Sequence, residues 1–342
     1  MRNEIRLRIL NLVILILTQL FIFFGCKTGH RREPEREAEE IVHPIVAVPD
    51  FNADSAYSYI QRQVNFGPRI PNTPSHVQTG NYLITKLKDL SAEVEVQEFQ
   101  ETAFNGNILN LRNIIASYYT DKKRRIMLAA HWDTRPFADK DSEDPSKTFE
   151  GANDGASGVG VLLEVARILS ADQPLDVGVD IIFFDGEDYG EPESYDGDDL
   201  RSGKIFWCLG SQYWSQNKHR KNYMAYYGIL LDMVGARNAR FYKEGGSMRF
   251  AKKIVSKVWE AGRSLGYDQY FINQRSPGIT DDHIFVNQDA KIPMIDIVEY
   301  DPQSADSYFG TYHHTQRDNM TLIDKNTLKA VGQTLLYVIF NE

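Results

Sequence analysis

Two spacings of hydrophobic residues alternate along this chain, and together they predict an α/β fold. Some segments repeat apolar residues every three or four positions, as amphipathic helices do, while others alternate or are mostly apolar, as buried strands are. The predicted helices are Ala53–Val64, Ser75–Leu90, Ala156–Leu169, Ser247–Leu265 and Asp324–Phe340. The predicted strands are Glu93–Phe99, Asn110–Tyr118, Arg125–Ala130, Val177–Phe184 and Tyr226–Leu231.

The order of these segments predicts one domain from residue 43 to residue 342. Mostly apolar strands that alternate with helices are typical of a mixed, mostly parallel sheet with helices on both faces. No internal repeat interrupts this order. The sequence therefore predicts a single α/β domain rather than an array of repeats.

The N-terminal segment differs in character from this domain. Arginines precede an uncharged apolar stretch from Ile9 to Gly25, which predicts a signal peptide over residues 1–25. Gly25 and Cys26 resemble the end of a bacterial lipobox, so Cys26 is the expected lipidation site; an uncleaved anchor helix and ordinary signal cleavage are the alternatives. The polar residues 26–42 predict a flexible tether. We expect an exported periplasmic or cell-envelope lipoprotein of a bacterium, attached to the membrane by its lipid.

Composition and charge narrow the class of function. Charged residues make up 25% of the chain and aromatic residues 12%, which is ordinary for a globular enzyme. The formal net charge is −9, and no basic run interleaves with aromatic residues along one face. These features exclude nucleic acid as an expected partner. If Cys26 is lipidated, Cys208 is the only remaining thiol, so the domain has no internal disulfide.

Ionisable residues follow the predicted strands and loops in separate motifs. Carboxylates at the ends of sheet strands line the crevice where open α/β sheets bind ligands. Imidazole and carboxylate groups that converge from separate loops suit Zn²⁺, and a further carboxylate can transfer protons. Taken singly, each acid is best explained as a solvated loop residue; jointly, they favour a zinc site. The candidates are His131, Asp154, Glu187, Asp188, Asp232 and His314.

Two motifs have a specific structural interpretation. Asp133 follows His131 by two positions and is placed to orient its imidazole. The glycine-rich run around Asp154 lacks the lysine of a P-loop and the spacing of a dinucleotide fingerprint, so we interpret it as a loop that directs Asp154 at a cation. Spacing alone does not choose between His313 and His314 as a ligand.

The motifs together resemble those of the zinc aminopeptidase superfamily. The run Asp281-Asp282-His283, where aminopeptidases usually have Ser-Asp-His, and Trp207 after an acidic loop resemble the bacterial glutaminyl cyclases of that superfamily. The resemblance implies a single-domain zinc-exopeptidase-like α/β fold. The motifs are His131-Trp-Asp-Thr, Gly151-Ala-Asn-Asp154-Gly-Ala-Ser-Gly158, Phe183-Phe-Asp-Gly-Glu187-Asp188, Leu230-Leu-Asp232-Met-Val-Gly-Ala and His314-Thr.

Two positions depart from the animal cyclases. Those enzymes have Trp immediately before the metal-binding His, where this chain has His313. They have Glu-Glu where this chain has Glu187-Asp188, which shortens the ligand by one methylene. Neither change removes a type of ligand, because Asp binds zinc as Glu does.

The resemblance also implies a reaction on peptides or proteins with N-terminal Gln. One zinc per chain, bound by Asp154, Asp188 and His314, would polarise the γ-carbonyl of that Gln. Glu187 would transfer a proton from the α-amine to departing ammonia, leaving pyroglutamate. Asp232 and Asp281 would assist catalysis. The implied substrate pocket contains Trp207, Ile279, Tyr308, Phe309, Tyr312 and His313.

Two alternatives stay open at the level of sequence. In a dinuclear aminopeptidase, His131 and Asp232 would hold a second zinc, Asp154 would bridge, and Glu187 would activate a water molecule. Every ligand for that site is present. A binding module without activity is a third possibility, but the retained ligand set disfavours it.

Overall fold

The computed structural model describes residues 47–171, 174–193, 195–197, 203–304 and 308–342. The described residues belong to one structural unit. The predicted signal peptide, the tether and Cys26 lie outside these ranges. Within them, no helix is both long enough and apolar enough to cross a membrane.

A six-stranded mixed sheet lies at the centre, with the strand order β1-β2-β4-β3-β5-β8. Strands β4, β3, β5 and β8 pair in parallel, whereas β2 is antiparallel to both β1 and β4. Strands β6 and β7 form a separate parallel pair. The strands are β1 Glu93–Thr102, β2 Ile108–Tyr118, β3 Arg125–His131, β4 Gly178–Phe184, β5 Tyr227–Asp232, β6 Phe241–Lys243, β7 Phe271–Arg275 and β8 Met294–Val298.

Alternation along the central strands divides their side chains between two cores. In β3, Ile126, Leu128 and Ala130 contribute to the larger core. Met127 and Ala129 of the same strand contribute to a second core. Because successive side chains of a strand point to opposite faces, both faces of the sheet are buried.

Helices cover both faces. Helices α1, α3, α6 and α8 pack into the larger core, while Trp214 of α4 and the π-helix lie in the second core. The prediction of a mixed, mostly parallel sheet between helices is confirmed. The α-helices are α1 Ala53–Val64, α2 Pro74–Asp89, α3 Ala156–Leu169, α4 Leu209–Gln216, α5 Gly245–Phe250, α6 Lys252–Ser264, α7 Asp282–Phe285 and α8 Lys325–Phe340. A π-helix spans Val286–Ala290, and a 3₁₀ helix spans Met320–Leu322.

The prediction of one helix over Ser247–Leu265 is wrong. The backbone leaves helical geometry at Ala251, with φ −138° and ψ 39°, and separates α5 from α6. Helix α5 is tied to β8, because the Ser247 hydroxyl accepts a hydrogen bond from the Asp296 amide. Helix α6 instead packs Val255 and Val258 into the larger core. The helical spacing of apolar residues continues across the break at Ala251. The sequence pattern therefore does not reveal that α5 and α6 pack against different parts of the structure.

Candidate active site

The functional side chains meet at the carboxyl edge of the parallel strands. His131 is the last residue of β3, Asp232 is the last residue of β5, and Glu187 and Asp188 follow β4 closely. Strands β4, β3 and β5 are adjacent in the sheet, so their carboxyl ends share one crevice. The sheet therefore brings together residues that are distant in sequence.

The loop that carries Asp154 is fixed by buried groups on both sides. Asp318 accepts hydrogen bonds from the amides of Asn153 and Asp154, at 2.7 and 2.9 Å. Gly155 has φ +89°, and a β-carbon there would lie 2.4 Å from the Asp133 carbonyl oxygen. Only glycine tolerates that combination of backbone angle and close approach.

Arg69 joins this loop to the segment after β3. Its buried guanidinium donates to the carbonyl oxygens of Trp132, Glu150, Gly151 and Asp154, at 2.5–3.3 Å. All four acceptors are main-chain atoms. We refer to this arrangement as the Arg69 clamp.

His131 contacts carboxylates through both ring nitrogens. Its Nε2 lies 3.0 Å from Asp154 Oδ1 and 3.1 Å from Asp232 Oδ1. Its Nδ1 lies 3.5 Å from Asp133 Oδ1. Asp133 also accepts hydrogen bonds from the amides of Glu187 and Asp188, at 3.1 and 3.2 Å. Asp133 thus links the imidazole to the loop after β4.

His314 lies on the other side of Asp154. Its Nε2 is 3.1 Å from Asp188 Oδ1 and 3.6 Å from Asp154 Oδ2, whereas His313 Nε2 is 4.0 Å from Asp154 Oδ2. Asp188 Oδ1 is buried and accepts no hydrogen bond from the described residues, although the imidazole nitrogen lies beside it. Donor atoms that face one another without a hydrogen bond fit a shared cation, and carboxylate and imidazole are zinc ligands.

Four sets of donor atoms among the described residues have dimensions that suit a metal ion, and two of these sets share Asp154. Asp154, His313 and His314 bring their ligand atoms within 4.8 Å of one another, and so do His131, Asp154 and Asp232. We favour His314 over His313 because only His314 also contacts Asp188. Asp154 belongs to both sets, as a bridging carboxylate would.

A cavity of about 510 Å³ opens over these residues. Of the predicted pocket residues, Trp207, Ile279, Phe309 and His313 line it, together with Glu187, Asp188, Asp232 and Asp281. Eight further residues also line it that were not predicted from the sequence to belong to the site. These are Arg135, Asp139, Lys140, Glu191, Glu193, Ile205, Met233 and Thr280.

Tyr308 and Tyr312 do not line the cavity, so their placement in the pocket is corrected. The Tyr312 hydroxyl accepts a hydrogen bond from the Asn153 side chain at 2.9 Å and bonds to the Glu299 carboxylate. The Tyr308 hydroxyl lies 3.0 Å from the Ser276 hydroxyl. Both rings are buried behind the cavity wall, where these polar partners satisfy their hydroxyl groups.

Burial perturbs the acids at the cavity floor. Desolvation raises the pKa of Glu187 well above its usual value, His131 opposes this, and Asp281 adds to it. Desolvation also raises the pKa of Asp232 to about 7, against the hydrogen bond from His131 and with a contribution from Asp281. The cavity floor therefore holds two acids, Glu187 and Asp232, whose pKa values are raised by burial.

A strand-end site of carboxylates and histidines on a mixed α/β sheet defines the class of zinc-dependent exopeptidases. The chain belongs to peptidase family M28, whose family model matches residues 113–339, and within it to the glutaminyl cyclases. The family predicted from the motifs is confirmed.

Known relatives agree with this placement. The chain is 53% identical to the solved glutaminyl cyclase of Bacteroides thetaiotaomicron, covering 86% of this chain and 99% of that one, with a TM-score of 0.82. A Zn-dependent exopeptidase structure from Parabacteroides distasonis is 52% identical, with 86% and 100% coverage and a TM-score of 0.83. The glutaminyl-peptide cyclotransferase of Drosophila melanogaster is 28% identical over 287 residues, which are 76% of this chain and 73% of that protein.

Proposed function

We propose that this chain is a glutaminyl-peptide cyclotransferase that converts N-terminal Gln of peptides and proteins to pyroglutamate. The observation that carries the proposal is the position of Asp281, which lines the cavity beside Glu187 and Asp232 in a chain 53% identical to a glutaminyl cyclase. Burial raises the pKa values of Glu187 and Asp232, and acids with raised pKa values suit proton transfer between two nitrogen atoms.

We assign one zinc per chain to Asp154, Asp188 and His314. Bound there, zinc supplies a Lewis acid for the γ-carbonyl of the substrate Gln. The support for this set is the position of His314 Nε2, 3.1 Å from an Asp188 oxygen that accepts no hydrogen bond from the described residues.

Side chains of the protein transfer the protons of the reaction. In cyclisation, the α-amine nitrogen forms a bond to the side-chain carbonyl carbon of the same Gln, and the bond from that carbon to its amide nitrogen breaks, releasing ammonia. Glu187 takes a proton from the α-amine and returns it to the leaving nitrogen. Asp232, whose pKa burial raises to about 7, and Asp281 lie beside it at the cavity floor. Trp207 and Phe309 form apolar walls for the substrate side chain.

A dinuclear aminopeptidase is the second candidate, because His131, Asp154 and Asp232 form a metal-sized set next to the first. We favour the cyclase because the chain is 53% identical to a solved glutaminyl cyclase and because the carboxyl group of Asp281 lies close enough to Asp232 to oppose its ionisation.

One assay separates the two reactions. Purified protein is incubated with a Gln-initiated and a Leu-initiated fluorogenic amide, and ammonia and the freed amine are measured separately. We expect ammonia from the Gln substrate, no release of Leu, and about one zinc per chain by elemental analysis. Release of Leu together with two tightly bound zincs would establish the aminopeptidase instead.

We also propose that Cys26 carries the lipid of an exported lipoprotein in the periplasm or cell envelope of a bacterium. The apolar run before Gly25 and Cys26, preceded by arginines, supports this. A tether over residues 26–42 would then separate the catalytic domain from the membrane.

A further inference from the structure

The buried guanidinium of Arg135 lies between the metal-ligand candidates and the cavity wall. Its side chain is 1% exposed and forms a two-pronged ion pair with Asp139, Nε to Oδ1 at 2.8 Å and Nη2 to Oδ2 at 2.6 Å. A two-pronged pair fixes the carboxylate in orientation as well as in position. The carboxylate of Asp139 is therefore held in one orientation in the site.

That carboxylate faces His314 from behind. Asp139 Oδ1 lies 3.5 Å from Nδ1 of His314, while Nε2 of the same ring faces Asp188 and Asp154. A carboxylate behind a ligand histidine selects the tautomer that leaves Nε2 free and holds the ring in plane. Asp139 occupies that position for His314.

Arg135 also holds the second carboxylate ligand. Its amide donates to Asp188 Oδ2 at 2.9 Å, and its Nη1 donates to the Asp188 carbonyl oxygen at 3.1 Å. These two bonds leave Asp188 Oδ1 as the oxygen that faces His314. Arg135 thus orients two of the three proposed ligands, Asp188 directly and His314 through Asp139.

The same guanidinium packs against the cavity wall. Its Cζ lies 4.6 Å from the centre of the Trp207 ring, a cation–π distance. The Trp207 ring is within 4° of parallel to the His314 ring. Gly190, whose carbonyl accepts from Arg135 Nη1, lies so close that a β-carbon there would be 2.0 Å from the Trp207 ring. Trp207 therefore packs against both the Gly190 backbone and Arg135.

We propose that Arg135 and Asp139 are positioning residues that orient the metal ligands His314 and Asp188 and, through Trp207, the substrate-binding wall. The proposal rests on the zinc set proposed above and not on which reaction the zinc serves. It predicts that changes at Asp139 act mainly on metal affinity. Changes at Arg135 act on metal affinity and on substrate binding together.

Arg125 and Asp180 provide a matched control within the same chain. They form a buried two-pronged pair of similar geometry, with distances of 2.6 and 2.7 Å, near the start of β3 and β4 rather than at the carboxyl edge. Substitutions there test what the loss of a buried Arg–Asp pair does in general.

The experiment compares Asp139→Asn with Asp180→Asn, and Arg135→Lys with Arg125→Lys. Zinc affinity is measured by competition with a chromophoric chelator, and thermal unfolding is followed in parallel. We expect Asp139→Asn to weaken zinc binding about 10- to 100-fold, the scale for partners of metal ligands. Arg135→Lys should weaken zinc binding and also raise KM for a Gln-peptide, because Lys lacks the planar fork. The control variants should bind zinc within about twofold of wild type.

Several outcomes overturn the proposal. Zinc affinity of Asp139→Asn within twofold of wild type would do so, and so would an equal loss in Asp180→Asn. His314→Ala separates this failure from failure of the zinc set itself. If His314→Ala loses zinc while Asp139→Asn keeps it, the positioning role is wrong and the ligand set stands. If His314→Ala retains zinc at wild-type affinity, the ligand set is wrong.

Discussion

Three residues of the site adopt a left-handed backbone conformation although none is glycine. Cys208 has φ 59°, Met233 has φ 47°, and His314 has φ 52°. Such angles cost of order 1–3 kcal/mol each for residues with a β-carbon, so the surrounding structure must enforce them. Each adjoins the chemistry: the Cys208 thiol donates to Glu187 Oε1 at 3.3 Å, Met233 follows Asp232, and His314 is a proposed ligand. Three of the nine non-glycine residues with positive φ in the described part of the chain therefore lie at the site.

Glu187 gives the most direct test at this scale. Glu187→Gln should keep zinc, because the three proposed ligands are untouched, and should lower turnover by about 10²-fold or more, the scale of general acid–base catalysis. Elemental analysis and ammonia release on a Gln-peptide measure the two quantities on one sample. Loss of zinc along with activity would identify Glu187 as a ligand.

Asp281 tests the coupling among the acids at the cavity floor. Asp281→Ser should abolish most cyclisation, because Ser lacks the carboxyl group that, in addition to burial, raises the pKa values of Glu187 and Asp232. The zinc content of this variant shows whether a second metal then binds. Asp289→Ser, at an exposed acid nearby in sequence, is the matched control and should be fully active. Normal activity of Asp281→Ser would show that cyclisation does not depend on this carboxyl group.

At the scale of elements, one hydrogen-bond chain ties three segments together. Glu299 follows β8, Tyr312 precedes His314, and Asn153 lies in the Asp154 loop, and the Tyr312 hydroxyl bonds to both neighbours. Asn153 also accepts a hydrogen bond from the Gly235 amide just after β5. The loops that carry the proposed ligands are therefore also connected to one another by hydrogen bonds outside the cavity.

The buried carboxyl group of Glu299, in this hydrogen-bonded set, predicts a specific pH dependence of the protein's stability. Burial raises the pKa of Glu299 from 4.5 to about 7, so the folded state binds a proton that the unfolded state releases between these values. The stability that Glu299 contributes by binding this proton is complete below pH 4.5 and is lost as pH rises through about 7. The free energy of unfolding of Glu299→Gln should fall by roughly 3 kcal/mol less than that of wild type over this pH range, at about 1.36 kcal/mol per pKa unit.

Denaturant unfolding at a series of pH values measures the effect. Glu260→Gln, on the exposed side of α6, is the control and should reproduce the wild-type curve. Identical slopes for Glu299→Gln and wild type would mean that Glu299 ionises normally in the folded chain.

Much of the site was predictable because the sheet orders it. A strand pattern followed by an acid or histidine places that residue at the carboxyl edge, which is why His131, Glu187 and Asp232 were found. Strand β8 was missed because Asp296 interrupts its apolar run, and the amide of that residue bonds to Ser247 in another element.

Contacts between residues far apart in the sequence could not be predicted, because no local sequence pattern indicates them. Asp318 holds the amides of Asn153 and Asp154 from more than 160 positions away. Tyr312 is next to the histidine pair in sequence, yet its ring points away from the cavity. Proximity in sequence to a ligand does not determine which side of the wall a side chain faces.

At the scale of the whole molecule, the lipid proposed at Cys26 would attach the protein to a membrane. Cys26→Ser should move the protein from the membrane fraction to the soluble fraction with activity intact, because residue 26 lies outside the catalytic domain predicted from residue 43. Fractionation and mass analysis of the mature N-terminus measure this. A wild-type protein that is already soluble and begins at another residue would contradict the lipobox assignment.

The Arg69 clamp has a consequence for how this fold changes over evolutionary time. Because the guanidinium binds only main-chain oxygens, substitution of a ligand side chain in either loop removes none of its acceptors. Ligands and proton carriers on these loops can be exchanged one at a time while the loop paths stay fixed. A lineage can thus replace the chemistry at the edge of the sheet without first rebuilding the loops that support it.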